Sequence, residues 1–549
     1  MTAEAGRAPT PGAPLFIILT GMFTLVVVAI QIAVGAYHAD LGTIGDETGH
    51  FVSSLLVFDY LRSGHFANPM RFAQAYYLHW PRVAIGHWPP LFYAIQALAF
   101  AIGGRSVETA IAVQALAAGV AAGWPAWIVW RRMGWGPGIA VGLAVLASPR
   151  LLYFVDLVMV DTPLGLWMFA AALAWAAFAR RPVVGHAVLF ATLAGAAILT
   201  KGNGIALALL PLLHAALTRD SRLLRNWRSW LAAGLVGATT APWYALTYRM
   251  AAGGFVYRWG WDYTRLAIPF YLRASFIALG PIALIGALAA LGNLLYRGRE
   301  QADDTVAALG ALVLALIIFQ MCAPADLSVR YLIPIVPAGM ALSAQGFRNV
   351  LAEGWTKLRP GLTATVVAVL LTGNAAWSFH MPHVTPYGMN QMARRIIAAG
   401  GANRFVLAAG DAHAEGALIC AFAVRDPAQR YYLLRGSQEL ASSTFMGSGY
   451  RARFAHTADL GAWLRRSGIG WLVIAIRPGG KPFMEHDRQL LRVLGSDQPV
   501  FSRTGPRGEV RLYRLSSGAP TRAQIQALLQ RVAPSPLGRT SHPAPGRRR

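Results

Sequence analysis

The chain has 549 residues, of which 55% are hydrophobic and only 13% charged, with a formal net charge of +25. Soluble globular proteins carry about 25% charged residues, so the composition excludes an ordinary soluble fold, and the mean hydropathy of +0.44 points to lipid. The positive charge does not imply nucleic acid, because many arginines fall in short clusters between apolar runs, where the positive-inside rule puts them.

In chain order, residues 1–14 are read as a cytoplasmic tail. The first apolar run, 15–34, is free of charge over the roughly 20 residues that cross about 30 Å of hydrocarbon. A cleaved signal peptide is the alternative. The n-region holds only Arg7, no small-residue cleavage site is evident, and many apolar runs follow, so a retained helix is expected. Further spans are predicted at 107–129, 136–151, 162–179, 183–199, 204–218, 230–248, 271–296, 305–321, 331–347 and 361–379. Between them lie Arg131-Arg132, Arg180-Arg181, the Arg219 to Arg228 cluster, Arg297 with Arg299, and Lys357 with Arg359. Placing all five groups in the cytoplasm predicts about eleven spans, a cytoplasmic N-terminus and an external C-terminus. Residues 88–103 are apolar but short and open with Pro89-Pro90, so they are read as a re-entrant or interfacial helix in an external loop, 37–106.

This threading gathers the polar chemistry on the external face. Asp46 and Glu47 follow the first span in GDETGH. Asp46 has one bland reading as a helix N-cap; the sharper one is a carboxylate at the membrane edge acting as general base. HWPRVAIGHWPPLFY, 79–93, sets His79 and His87 beside interfacial aromatics. His50, His79 and His87 lack compact metal-ligand spacing, so a divalent ion would need a site assembled in space, and no cofactor is firmly implied. In SPRLLYFVDLVMVDTPLGLW, 148–167, Asp156 and Asp161 face the same compartment. Asp161 before Thr162-Pro163 could be a second N-cap. Lys201 in LTKGNG, and Arg330-Tyr331 in LSVRYLIPIVPAG, break the positive-inside pattern. Each cation needs an anion, either a phosphate or a carboxylate such as Asp161 or Asp326. Cys322 and Cys420 make no disulfide framework.

Hydropathy falls near residue 390, and residues 380–515 are read as a small external α/β domain. Its expected strands are 404–411, 430–436 and 470–479, with helices at 413–424 and 458–467. AAGDAHAEG, 408–416, lacks a nucleotide fingerprint and is read as a structural cap over the external mouth. Residues 516–549 are expected to hold a short helix and then a basic, disordered tail.

The ordered set resembles a known group: an acidic pair after the first span, His87-Trp88-Pro89-Pro90, SPR…Asp161-Thr162-Pro163, Leu199-Thr200-Lys201-Gly202 and Arg330-Tyr331-Leu332-Ile333-Pro334. Over residues 15–347 it is similar to the polytopic type-C glycosyltransferases of the protein O-mannosyltransferase and lipid A aminoarabinose transferase superfamily. The resemblance implies a multi-pass protein of the bacterial inner membrane, with a periplasmic C-terminal domain. It implies an inverting transfer of a pentose or hexose from a polyprenyl-phosphate donor to a glycolipid, glycan or protein acceptor. Asp46 takes the role of base with Glu47 supporting it, and Asp161 is the acid before the fourth span. Donor phosphate contacts are expected from His87, Lys201, Arg330 and Tyr331. The aminoarabinose transferases have an acidic–lysine pair at the Pro-Pro motif that is absent here. The rival readings are a lipid-linked polysaccharide polymerase and a transporter or flippase, the latter requiring matching halves that the chain does not display.

Overall fold

The computed structural model describes residues 12–64, 66–297, 302–353, 357–384, 386–443, 449–516 and 518–532. Most of the N-terminal tail and the basic segment after residue 532 lie outside the described residues. The first apolar run forms α1 (Ala13–Ala33). The long loop after α1 folds into α2 (Gly45–Ser63), α3 (Pro69–His79) and α4 (Leu91–Gly103). At about 1.5 Å per residue, the 13-residue α4 falls short of a bilayer crossing.

The helical body continues as α5 (Val107–Met133), α6 (Trp135–Ala147), α7 (Pro149–Phe154), α8 (Asp161–Arg180) and α9 (Val184–Thr200). It is completed by α10 (Leu210–Thr218), α11 (Arg222–Arg225), α12 (Trp227–Ala252), α13 (Trp261–Leu279), α14 (Pro281–Arg297), α15 (Asp304–Cys322), α16 (Val336–Arg348) and α17 (Pro360–Ser378). Small residues let these helices approach closely. Gly123 of α5 lies against Thr20 of α1, where a Cβ would come within 2.8 Å of the Thr20 hydroxyl. Such contacts, rather than hydrophobic exclusion, hold helices together where lipid is the solvent.

Among the described residues, α1, α5, α8, α15 and α17 are long and apolar enough to cross a membrane, five in all, or six if α13 and α14 count as one bent span. The expected eleven is therefore not reached on length and composition. The predicted span 271–296 is in fact two helices meeting at 108°. Gly280 ends α13 at φ +79° and Pro281 opens α14, a stop and start that a continuous helix does not tolerate. The predicted spans 204–218 and 331–347 each begin as 3₁₀ turns, Gly202–Leu209 and Val329–Ile335, so their α-helical parts are shorter.

The chain then forms α18 (Met389–Ala399), β1 (Phe405–Ala409), α19 (Ala412–Arg425), β2 (Tyr432–Arg435), α20 (Gly436–Glu439) and the short pair β3 (Ala441–Ser442) and β4 (Arg451–Ala452). It ends with α21 (Thr457–Ser467), β5 (Trp471–Ile476), α22 (Glu485–Leu494), β6 (Phe501–Gly505), β7 (Gly508–Arg514) and α23 (Arg522–Val532). The main sheet runs β2-β1-β5-β7-β6, parallel across β2, β1 and β5 and antiparallel beyond. The wholly apolar runs FVLAA and WLVIAI are buried along their full length because helices cover both faces. One of those faces shares a core with the long loop after α1, joining Phe51, Trp80 and Phe92 to Leu418, Tyr431 and Val473.

Candidate active site

Two ion pairs meet where the long loop after α1 reaches the helical body. The helix carrying Asp46 has Ile44 as its N-cap and no side-chain capping bond, so Asp46 lies inside the first turn of α2 and does not cap it. Its Oδ2 meets Arg330 Nη1 at 2.8 Å. Asp161 likewise is not the N-cap of α8; that position is Val160. Asp161 Oδ1 instead accepts from Lys201 Nζ at 2.6 Å, with side-chain exposures of 1% and 8%. The capping readings of both aspartates are corrected on this geometry. Tyr331 stands between the pairs, its ring 4.8 Å from Lys201 Nζ and 5.2 Å from the Arg330 guanidinium carbon. Gly165 makes the convergence possible: a Cβ there would come within 3.1 Å of Pro334 Cα, so α8 and the 3₁₀ turn carrying Arg330 touch backbone to backbone.

Glu47 does different work. Its Oε2 accepts the amides of Gly42 and Thr43 at 2.8 and 3.0 Å, and its Oε1 accepts that of Val158 at 3.3 Å. One carboxylate thus ties the loop before Asp46 to the loop before Asp161. Burial pushes the Glu47 carboxyl up to about 7, against these three donors. Burial also raises Asp46, but the Arg330 guanidinium, with smaller contributions from His50 and Lys201, holds the carboxyl below its ordinary value. His50, one turn further along α2, is pushed down to about 4 by burial despite the Asp46 charge, and is neutral. Its Nδ1 lies 3.0 Å from the Tyr93 hydroxyl.

His87 is hydrogen-bonded to the Met250 main chain and lowered chiefly by burial, so it too is neutral and is bonded outside the two ion pairs. The structure adds Arg82, which sequence reasoning missed. Its Nη2 donates to Gly45 O at 2.6 Å and its Nε to Thr48 Oγ1 at 2.9 Å, bracing the turn that bears Asp46. A lone arginine in HWPRVAIG, apart from the basic clusters, was the available signal. Among the described residues no group of three or more His, Cys, Asp or Glu is placed to hold a metal ion.

No family model matches the chain, and no curated protein matches it in sequence. Solved structures do match its fold. ArnT from Cupriavidus metallidurans in the apo state superposes with a TM-score of 0.58 at 16% identity, covering 90% of this chain and 98% of that one. The same protein bound to undecaprenyl phosphate gives 0.57 at 16% identity, with 93% and 100% covered. The archaeal oligosaccharyltransferase AglB from Archaeoglobus fulgidus, in complex with an inhibitory peptide and a dolichol-phosphate, gives 0.50 at 11% identity, covering 84% and 69%. At such identities the likeness is one of fold. The chain is a multi-pass α-helical membrane protein with an extramembranous, sheet-containing C-terminal domain, and it shares its fold with these solved membrane proteins.

Proposed function

We propose that the protein transfers a pentosyl or hexosyl group from a polyprenyl-phosphate donor to a glycolipid, glycan or protein acceptor at the external face of a bacterial inner membrane. The observation that carries this reading is the pair of carboxylate–cation contacts around Tyr331, on a fold like that of a protein solved with undecaprenyl phosphate. Without donor, each cation neutralises a carboxylate. A phosphate is a stronger multidentate acceptor for guanidinium and ammonium groups. Its arrival draws Arg330 and Lys201 toward the donor, leaves Asp46 with less compensating charge, and so makes Asp46 more basic.

In the transfer step Asp46 receives the proton of the acceptor hydroxyl or amine as that atom bonds to the anomeric carbon. The bond from carbon to phosphate oxygen breaks on the opposite face, which inverts the centre. The electron pair departs on polyprenyl phosphate, whose charge Arg330 and Lys201 hold. Asp161 orients Lys201, Glu47 fixes the loop, and His87 offers a neutral hydrogen bond at the Pro-Pro wall. The N-terminus is cytoplasmic, the C-terminal domain periplasmic, and the chain crosses the membrane about eleven times, counting the shorter apolar helices α6, α9, α10 and α16, the bent pair α13–α14 and α12 with the five long ones.

The test is purified Asp46→Asn beside wild type, with a panel of polyprenyl-phosphate sugars. Asparagine keeps the size of aspartate and removes its basicity, so transfer should fall by roughly 10²–10⁴ while undecaprenyl phosphate still binds. Near-normal transfer would refute the assignment and move the base to Asp161 or Glu47.

A further inference from the structure

The AAGDAHAEG segment does more than close a strand. Asp411 caps α19 by accepting the Ala414 amide at 2.8 Å, and the helix it starts lies directly on α2. His413 Nδ1 is 3.1 Å from Gly42 O, and Arg507, in the turn between β6 and β7, reaches the same oxygen at 3.4 Å. Cys420 Sγ lies 3.7 Å from Thr48 O. Two glycines permit the approach. Gly42 has φ +114°, and a Cβ there would sit 2.8 Å from His413 O. At Gly416 a Cβ would collide with Thr48 Oγ1 and lie 2.9 and 3.0 Å from Thr48 Cβ and Cγ2.

These contacts converge on one turn. The carbonyl of Gly42 is held by the C-terminal domain, while its amide is held by Glu47, the neighbour of Asp46. Gly45 and Thr48, which flank the acidic pair, are held by Arg82, and Arg82 feels the charges of Arg435 and Glu415 from that same domain. Further out, Asp40 accepts the amides of Met389 and Asn390 at 2.9 and 2.8 Å, fastening the start of α18 to the loop that leads into α2.

We propose that α19 is a positioning element for Asp46, with Gly416 and His413 as its positioning residues, so that the C-terminal domain is part of the catalytic unit. This rests on the reading of Asp46 as the reacting carboxylate. A reacting group displaced by about 1 Å can lose on the order of 10²-fold in rate, and a methyl group forced between α19 and Thr48 displaces the turn on that scale.

The experiment is a swap of that methyl between helices in the full-length protein. Gly416→Ala should lower kcat roughly tenfold or more, with undecaprenyl phosphate binding within about twofold of wild type, a split that general loosening of the fold would not produce. Thr48→Gly removes the three atoms nearest the new methyl. The double variant should therefore turn over like Thr48→Gly alone, a coupling that only neighbouring sites show. His413→Ala, which removes the imidazole and adds no bulk, should also lower kcat with donor binding kept. A wild-type kcat in Gly416→Ala overturns the proposal, as does an equal proportional loss in the Thr48→Gly background. If Gly416→Ala does not yield folded protein, His413→Ala decides, and a wild-type kcat there overturns it. Normal transfer by Asp46→Asn is the distinct outcome in which the functional reading itself has failed.

Discussion

Removing the Lys201–Asp161 pair in two stages separates what it does for the fold from what it does for donor binding. The two side chains are 8% and 1% exposed and meet at 2.6 Å, and Asp161 Oδ2 has no other hydrogen-bond partner among the described residues. Lys201→Met therefore leaves a buried carboxylate without compensation, at a cost of about 3–5 kcal/mol. Asp161→Leu strands the ammonium at a similar cost. The double variant removes both charges, and replacing a buried ion pair by apolar groups is often neutral or stabilising by about 1–4 kcal/mol. With each single variant costing at least about 3 kcal/mol and the double about neutral, the coupling between the sites should be at least about 6 kcal/mol, above the usual range for contacting residues.

The assay is thermal and denaturant unfolding in detergent, beside undecaprenyl phosphate binding and sugar transfer. Each single variant should unfold early. The double should regain stability yet bind undecaprenyl phosphate weakly and transfer no faster than the singles. If transfer returns together with stability, the pair serves only the fold and Lys201 is no phosphate ligand. Wild-type stability in Lys201→Met would refute the pairing argument itself.

Two further predictions concern charge and orientation. Burial raises Glu47, and burial with the Glu47 charge raises Asp156, each to about 7 from ordinary values of 4.5 and 3.8; both Asp156 oxygens are buried without a hydrogen-bond partner among the described residues. Between those values and 7 the folded protein binds more protons than the unfolded chain, so stability falls as pH rises through that window and levels off above it. Asp156→Asn should flatten this fall in unfolding temperature, and an unchanged slope would refute the account. For orientation, with Cys322 and Cys420 replaced, Tyr450→Cys should react with an impermeant thiol reagent in intact cells, and Arg225→Cys only after lysis. The reverse pattern would put the ion pairs on the cytoplasmic side.

The helices that hydropathy located well, α1, α5, α8, α9, α15 and α17, are those whose apolar run is about as long as the element. Hydropathy averages over a window, so it joined α13 to α14 across Gly280-Pro281, although the Leu-Gly-Pro tripeptide carries the signal for a break. In the sheet, the strands read from sequence became β1, β2 and β5, whose residues are mostly buried. The β6–β7 hairpin was missed because Arg503, Arg511 and Arg514 interrupt its apolar pattern and leave the Gly505 to Gly508 turn as its clearest mark.

The site was partly legible for a different reason. Asp46, Asp161, Lys201 and Arg330 stand out because an isolated charge beside apolar sequence must find a partner. That argument identifies the members of a cluster and leaves the pairing open, since two acids and two cations can join in either of two ways. Chain order does not decide between them: Asp46 is far in sequence from both cations, and Asp161 lies 40 residues from Lys201. The choice is made by packing. The bare backbone at Gly165 lets α8 meet the 3₁₀ turn at Pro334, while α9 ends at Thr200 with Lys201 as its C-cap, delivering the ammonium to Asp161. Arg330, four residues before Pro334, is then left to face α2 and Asp46. The partners of Arg82 and His413 were hidden for a related reason. Arg82 meets the Gly45 turn from within the same loop and His413 meets the Gly42 turn from the C-terminal domain, and both of these hydrogen bonds go to main-chain carbonyls, which every residue possesses. A side chain that recognises backbone leaves no complementary residue type for sequence reasoning to find.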